Sequence, residues 1–140
     1  MMLMRKYYAP ETLLGVLKEY RPFPKYGEEN PLTAEQKARM IATGEQYLGY
    51  QWPVALATDY MKYVTEGSRK PYEGTNYNLR RNALGALLDA EYAEQKGRFI
   101  PDIINGVWAI MDEAYWVVPA HNDNRMLPDF DQPIFVDLTR

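Results

Sequence analysis

Apolar residues recur at the three- and four-residue spacing of an α-helix in five stretches of the chain, and proline or glycine stands at most of the boundaries between them. This spacing puts the apolar side chains of each stretch on one helical face, which must be buried against a neighbour. Thr33 and Gln36 form a capping-box pattern at the start of the second stretch, and Gly67 stands where a left-handed residue would end the third. The pattern predicts five amphipathic helices, at about 11–20, 34–48, 53–66, 78–96 and 101–114.

Two further features indicate how these helices pack. The connections between the middle helices are short, which favours antiparallel neighbours. In the fourth helix, small residues flank the leucine stripe and would let a partner helix approach closely; they are Ala83, Ala86, Ala90 and Ala93. With a length of 140 residues, the chain is predicted to form one all-α domain, residues 1–140, built from antiparallel helical hairpins.

Local signals refine the helix boundaries. Pro53 suits the first turn of the third helix, where its missing N–H costs nothing. The polar stretch 68–77, which contains proline and glycine, is predicted to be an irregular loop. Asn76 or Asn78 then provides an N-cap for the fourth helix.

The fifth predicted helix has a broad apolar face, made up of Ile103, Ile104, Val107, Trp108 and Met111. We expect Trp108 to belong to the core, because it lies within that stripe. Residues 116–133 are predicted to be irregular, and Asp137 stands where an N-cap would open another helix.

Composition excludes several functional classes. The net charge is −3, and one small basic cluster around Arg69 and Arg80 does not provide the basic face that nucleic acid requires. The chain has no cysteine, one histidine and no calcium-loop or phosphate-loop motif, so we expect neither a metal nor a cofactor. No apolar run of about 18 residues could span a membrane, and no signal peptide is recognisable. The compartment stays open.

His121 is the obvious acid–base group for neutral pH, because it is the one histidine of the sequence. It lies behind Pro119 in the irregular segment after the fifth helix, where it could act on a substrate or simply bond to a backbone carbonyl. Trp116 leaves the end of the same helix and could line a surface pocket. Carboxylates at Glu91, Glu94, Asp112 and Glu113 could provide acid–base pairs, although charged helical residues commonly form solvated faces.

Arginine and tyrosine occur together in the stretch that joins the third and fourth helices. This group combines guanidinium forks with phenol rings, a set that suits an anionic sugar; its members are Arg69, Tyr72, Tyr77, Arg80 and Arg81. The forks would pair with carboxylate or sulfate, and the rings would stack on the apolar face of the sugar. The alternative is a solvated loop with ion pairs within one helix.

Several motifs resemble those of heparinase II/III-type polysaccharide lyases. The matching segments are Gly97-Arg98-Phe99, Gly106-Val107-Trp108-Ala109-Ile110, Glu113, Trp116-Val117-Val118-Pro119-Ala120-His121, Leu127-Pro128 and Val136-Asp137-Leu138. Upstream, Trp52-Pro53, Glu66-Gly67-Ser68-Arg69, Arg80 and the 87–91 region are also similar. The resemblance extends over most of the chain from about residue 12.

The resemblance implies a partial (α/α) toroid, an arc of helical hairpins from the N-terminal part of such an enzyme. The family eliminates across a uronic acid: a polar group neutralises the carboxylate, a base removes the C5 proton and an acid protonates the leaving oxygen. The Asn, Tyr and His that serve these roles are expected downstream of Arg140, so catalytic residues cannot be assigned here and His121 is the one weak candidate. We therefore expect a fragment that is inactive alone, from a periplasmic or secreted parent.

For substrate binding, the residues singled out are Trp116, His121, Arg69, Tyr77 and Arg80. The expected partner is an anionic, uronic-acid-containing polysaccharide. A non-catalytic carbohydrate-binding or assembly module is the alternative, and a small helical protein with accidental motif matches is a third reading. An open arc would also expose the fifth helix and the Ile134–Val136 strip, which favours a homodimer over a tail folded back on that face.

Overall fold

The computed structural model describes residues 15, 18, 26–123, 125–127 and 137. The chain forms two compact units, Met1–Pro31 and Leu32–Arg140. In the first unit, Gly15 and Lys18 are helical and a turn begins at Tyr26. The rest of the helix predicted at 11–20 lies outside the described residues, as does the strip Ile134–Val136.

The second unit is helical, and its described residues contain no strand, so the all-α prediction is confirmed. Its helices are α1 (Ala34–Glu45), α2 (Ala57–Glu66), a π-helix (Lys70–Tyr77), α3 (Asn78–Glu94), α4 (Ile100–Met111) and a 3-10 turn (Pro119–His121). The capping box that opens α1 is present: the Gln36 N–H donates to Thr33 Oγ1 at 3.2 Å, and the Thr33 N–H donates to Gln36 Oε1 at 2.8 Å. Gly67 ends α2 with a φ of 66°, as its position predicted.

Close packing of α1 against α3 forms one core. Gly44 of α1 faces Ala90 of α3, and a Cβ on Gly44 would lie 2.3 Å from the Ala90 Cβ, so the two backbones approach as the alanine pattern predicted. Leu87, Ala90 and Phe99 are fully buried at the centre of this core. Helix α4 packs against α3, while α2 packs against the π-helix and the 3-10 turn.

Helix α2 begins four residues later than predicted. Pro53 is not in its first turn, because the helix opens at Ala57 after the extended N-cap Leu56. The carbonyl of Pro53 instead accepts a hydrogen bond from Arg80 Nε at 2.7 Å. The buried Arg80 guanidinium thus takes the carbonyl that would have accepted a backbone hydrogen bond within the helix if Pro53 were helical.

The stretch predicted as an irregular loop forms the π-helix. The Asn78 N–H donates to the Glu73 carbonyl, and the side chains of Thr75 and Asn76 donate to the Pro71 carbonyl. The π-helix runs directly into α3, so neither Asn76 nor Asn78 caps that helix: the preceding residue, Tyr77, is already helical and makes no side-chain cap. Because the π-helix continues into α3, its backbone carbonyls can accept hydrogen bonds from the first N–H groups of α3, which a side-chain cap would otherwise bind.

The prediction that Trp108 belongs to the core is wrong, since the residue is 75% exposed. Helix α4 uses the face that holds Ile103 and Gly106 for packing, because a Cβ on Gly106 would lie 2.4 Å from the Trp52 ring. The opposite face carries exposed apolar residues at helical spacing: Ile104, Val107, Trp108 and Met111. We call these four residues the α4 stripe.

Candidate functional site

A cluster of aromatic side chains joins α2, the π-helix and the segment after α4. Tyr60 packs edge-to-face on Tyr72, with ring centroids 4.9 Å apart, and on Tyr115 at 6.2 Å. Val117 completes this buried cluster, and the Tyr60 hydroxyl donates to the Val117 carbonyl at 3.0 Å. The segment that carries the matched Trp-Val-Val-Pro-Ala-His motif is therefore fixed to α2 through both packing and a buried hydrogen bond.

Most of the segment 115–122 is buried, but two of the residues predicted to bind substrate are not. Tyr115, Val117, Val118, Pro119 and Asn122 are buried, whereas Trp116 and His121 are exposed. The side chain of Asn122 donates to the carbonyls of Arg125 and Leu127, which fixes the far end of the segment. A rigid, buried backbone thus presents a tryptophan and a histidine to solvent.

Asp137 anchors this segment from sixteen residues downstream. Its buried carboxylate lies 2.6 Å from His121 Nδ1, measured at Oδ2, and the same oxygen accepts from the Val118 N–H at 3.4 Å. The Asp137 N–H donates to the carbonyl of Trp116 at 2.9 Å. Because an ionised carboxylate only accepts, Nδ1 carries the proton in this bond, and Nε2 is then the nitrogen that can accept one.

Arg69, at the start of the π-helix, pairs with an acidic residue of that helix. Its guanidinium makes a bidentate pair with Glu73, with Nε–Oε1 at 2.9 Å and Nη2–Oε2 at 2.6 Å. Glu73 raises the pKa of Arg69 above its ordinary value, first by this hydrogen bonding, and Tyr63 and Asp137 add smaller electrostatic contributions. We call the surface formed by Trp116 and His121 around Asp137 the His121 surface.

The other two predicted binding residues lie elsewhere, in a buried ion-pair network. Arg80 is buried, donates to the carbonyls of Pro53 and Ala109, and lies 3.3 Å from Glu113 Oε1. Arg81 pairs with both oxygens of Glu113, at 3.1 and 3.0 Å, and its guanidinium stacks 3.7 Å from the centroid of the Tyr77 ring. Arg80 and Arg81 therefore join α3 to the end of α4, and Tyr77 stacks on Arg81.

Sequence reasoning missed Asp137 as a site residue and read it as a helix cap. The available signal was a single carboxylate between apolar neighbours, Val136 and Leu138, which is typical of a buried anchor. Three of the carboxylates considered for acid–base chemistry have structural partners. Glu94 pairs with Lys96 and Arg98 at the surface. Glu113 belongs to the ion-pair network, and Glu91 accepts from the N–H groups of Gly97 and Phe99 and so closes the turn before α4.

An apolar cavity of about 320 Å³ adjoins the tyrosine cluster. It is lined by Ala55, Leu56, Ala57, Tyr60, Tyr72, Ala114, Tyr115 and Leu127. In the described part of the chain, no group of three or more histidines and carboxylates is arranged to hold a metal ion. Within the same residues, none of the helices combines the length and apolarity that crossing a membrane demands.

Comparison with known proteins adds no family to these observations. No model of a known protein family matches the chain, and no curated protein matches it. The resemblance to heparinase II/III-type lyases therefore rests on the motifs quoted above.

Proposed function

We propose that the chain is a helical-hairpin arc of a heparinase II/III-like polysaccharide lyase, and that it binds a uronic-acid-containing polysaccharide at the His121 surface. The observation that supports this most is the exposure of Trp116 and His121 on an otherwise buried segment. The two residues belong to the motif that carries the resemblance, and the hydrogen bond from Asp137 fixes the position of the histidine ring.

The chemistry of the surface suits a sugar ring. The indole of Trp116 offers an apolar face for stacking, and Nε2 of His121 can accept a hydrogen bond from a hydroxyl. We also propose that Arg69, to whose pKa Asp137 makes a small electrostatic contribution, pairs with a uronate carboxylate through its guanidinium fork. The proposal concerns binding, because the family's catalytic Asn, Tyr and His have no counterparts among the matched segments.

The test is a titration with a uronate hexasaccharide, followed by NMR. His121 is the one histidine of the sequence, so its ring signals need no assignment by mutation. We expect these signals and the Trp116 indole signal to shift together, and His121→Ala and Trp116→Ala each to weaken binding about tenfold or more, since each removes a contact of about 1–3 kcal/mol.

The matched control is Lys96→Gln, which removes an exposed cation from the turn after α3 and should leave binding unchanged. Shifts confined to other residues, or equal affinity in all the variants, would contradict the proposal. A parallel assay follows the ultraviolet absorbance of the C4–C5 double bond with excess protein. We expect no turnover; sustained turnover that His121→Ala abolishes would make His121 catalytic.

Assembly is a second candidate function, and the α4 stripe favours it. Contiguous apolar surface of this kind is uncommon on soluble monomers and commonly marks an interface. A homodimer would bury the stripe of one copy on that of its partner. Sedimentation velocity at low micromolar concentration tests this: we expect a dimer that Trp108→Asp dissociates, with Leu88→Asp, an exposed position on α3, as the control. A strict monomer would refute it.

A further inference from the structure

The apolar cavity beside the tyrosine cluster has a lining that carries no charge. Tyrosine, alanine and leucine are the residue types that line it, and none of these described side chains is ionised at neutral pH. A charged group that enters such a cavity loses its hydration and gains no ionic partner, which is costly. The lining therefore favours an uncharged molecule.

The volume of the cavity sets the size of that molecule. At about 320 Å³, the cavity falls at the small end of the range for ligand sites, about 300–1,000 Å³. It is also larger than an apolar cavity of about 150 Å³ that takes up benzene. Three of the lining residues are alanines, whose short side chains leave this space open: Ala55, Ala57 and Ala114. The space suits a molecule of one or two fused rings.

The tyrosine rings provide aromatic walls that are already ordered. Tyr60 contacts Tyr72 and Tyr115 edge-to-face, with interplanar angles of 78° and 76°. All three side chains are buried, and the hydrogen bond from the Tyr60 hydroxyl to the Val117 carbonyl holds the central ring in place. Aromatic pairs gain stability beyond the area that they bury, and walls that are fixed in advance reduce the ordering cost of binding. A flat aromatic ring therefore suits this site better than a flexible chain.

Two leucines connect the cavity to solvent. Leu56 is 51% exposed and Leu127 is 44% exposed, although both line the cavity. A ligand can therefore enter on their side without unfolding the core, and their apolar side chains can cover it once it is bound. The lining contains neither Trp116 nor His121, so this site is distinct from the His121 surface.

We propose that the cavity beside the tyrosine cluster binds a small, neutral aromatic molecule of one or two fused rings. The tyrosine rings contact the ligand, and the alanines provide the space that it fills. The inference goes beyond the proposed function and is independent of it, because no sugar contact enters the argument.

The experiment uses naphthol, a neutral two-ring probe, and follows its binding to the full chain by calorimetry and NMR. We expect a dissociation constant of about 0.1–1 mM, as is usual for a ligand of this size. Naphthoate, the charged analogue, should bind at least about tenfold more weakly because its carboxylate must lose water. Decahydronaphthol, the saturated analogue, should bind about threefold to tenfold more weakly, since it lacks the aromatic contacts. Nuclear Overhauser effects should join the naphthol protons to the methyl groups of Ala55, Ala57 and Ala114.

A matched pair of variants tests the location. Ala57→Leu enlarges a side chain of the lining and should weaken naphthol binding by about tenfold or more, since the ligand and the new side chain compete for one space. Ala34→Leu is the control. Ala57 and Ala34 are both exposed and each is the first residue of its helix, so the two substitutions change helix propensity alike, but Ala34 is not part of the lining. We expect Ala34→Leu to bind naphthol as the wild type does.

Each possible failure contradicts a separate part of the inference. No binding of naphthol by the wild-type chain, or equal affinity in the two variants, would show that the cavity is not a ligand site. Overhauser effects to Ile104 and Val107 instead would place the probe on the α4 stripe; this measurement uses the wild type and decides the location even where Ala57→Leu does not fold. Equal affinity for naphthoate would refute the preference for a neutral ligand, and equal affinity for decahydronaphthol the preference for an aromatic one. None of these outcomes bears on uronate binding at the His121 surface.

Discussion

Replacing Glu113 with glutamine removes the carboxylate that Arg80 and Arg81 share. The Glu113 side chain is 2% exposed and that of Arg80 is 8% exposed, so water cannot replace the lost charge. Arg80 keeps its hydrogen bonds to the carbonyls of Pro53 and Ala109. Arg81 is partly exposed and keeps its stacking contact with Tyr77.

These remaining contacts set the expected magnitude. Removing one member of a buried ion pair commonly costs about 3–5 kcal/mol, because the other charge stays buried without its partner. Since both arginines retain other partners, we expect the lower end, a loss of about 3 kcal/mol in the free energy of unfolding. That is a large part of the stability of an ordinary domain.

Urea unfolding at neutral pH measures this loss, with an unchanged m value showing that the same structure unfolds. The control is Glu45→Gln, which removes a half-exposed carboxylate from its pair with Arg98 and should cost at most about 1 kcal/mol. A loss in Glu113→Gln no larger than that of the control would refute the reasoning, since it would mean that the network contributes no more than a surface pair.

Three further predictions follow from local geometry. Gly44→Ala should lower the free energy of unfolding, measured in thermal or urea melts, by about 1–3 kcal/mol, because its Cβ would meet Ala90 at 2.3 Å. The control Gly85→Ala has open space at its Cβ and should instead raise the free energy of unfolding by up to about 1 kcal/mol through helix propensity. Arg98 lowers the pKa of Glu94 below its ordinary value, chiefly by hydrogen bonding, so this pair stabilises the fold at neutral pH and its contribution is lost as the pH falls through the lowered pKa. The free energy of unfolding of Glu94→Gln should therefore fall less steeply than that of the wild type as the pH is lowered. The same acid dependence in both proteins would contradict the assignment. Asp137→Asn should lower the affinity for the uronate hexasaccharide to that of His121→Ala, because the His121 ring loses its ionised hydrogen-bond partner. Wild-type affinity in a folded Asp137→Asn protein would show that this partner does not contribute to binding.

The helical elements were predictable because their signals are local. The capping box at Thr33 and the left-handed Gly67 depend on neighbours within a few residues, and both are present in the structure. Helix α3 was predicted at 78–96 and is observed at Asn78–Glu94, since its leucine stripe and alanine flank depend on helical spacing alone.

Two of the failures have a different cause, because they depend on contacts between residues far apart in the sequence. Pro53 satisfies every local rule for a helix start, but its carbonyl is taken by Arg80, 27 residues away. Trp108 satisfies the periodicity of a core residue, but periodicity cannot say which part of a broad apolar face packs against the neighbouring helix. The π-helix escaped prediction because its i,i+5 bonding has no strong sequence signature of its own.

The same distinction explains why only part of the predicted binding set converges. Trp116 and His121 come together because Asp137 bonds both to the Trp116 carbonyl and to the His121 ring, and their segment packs with α2 and the π-helix in one aromatic core. None of these contacts is local in sequence. Arg80 was grouped with Arg69 because the two are close along the chain, yet the π-helix between them directs Arg80 into the ion-pair network. Changes within the tyrosine cluster should therefore alter both stability and the geometry of the His121 surface, whereas changes in the network should alter stability alone.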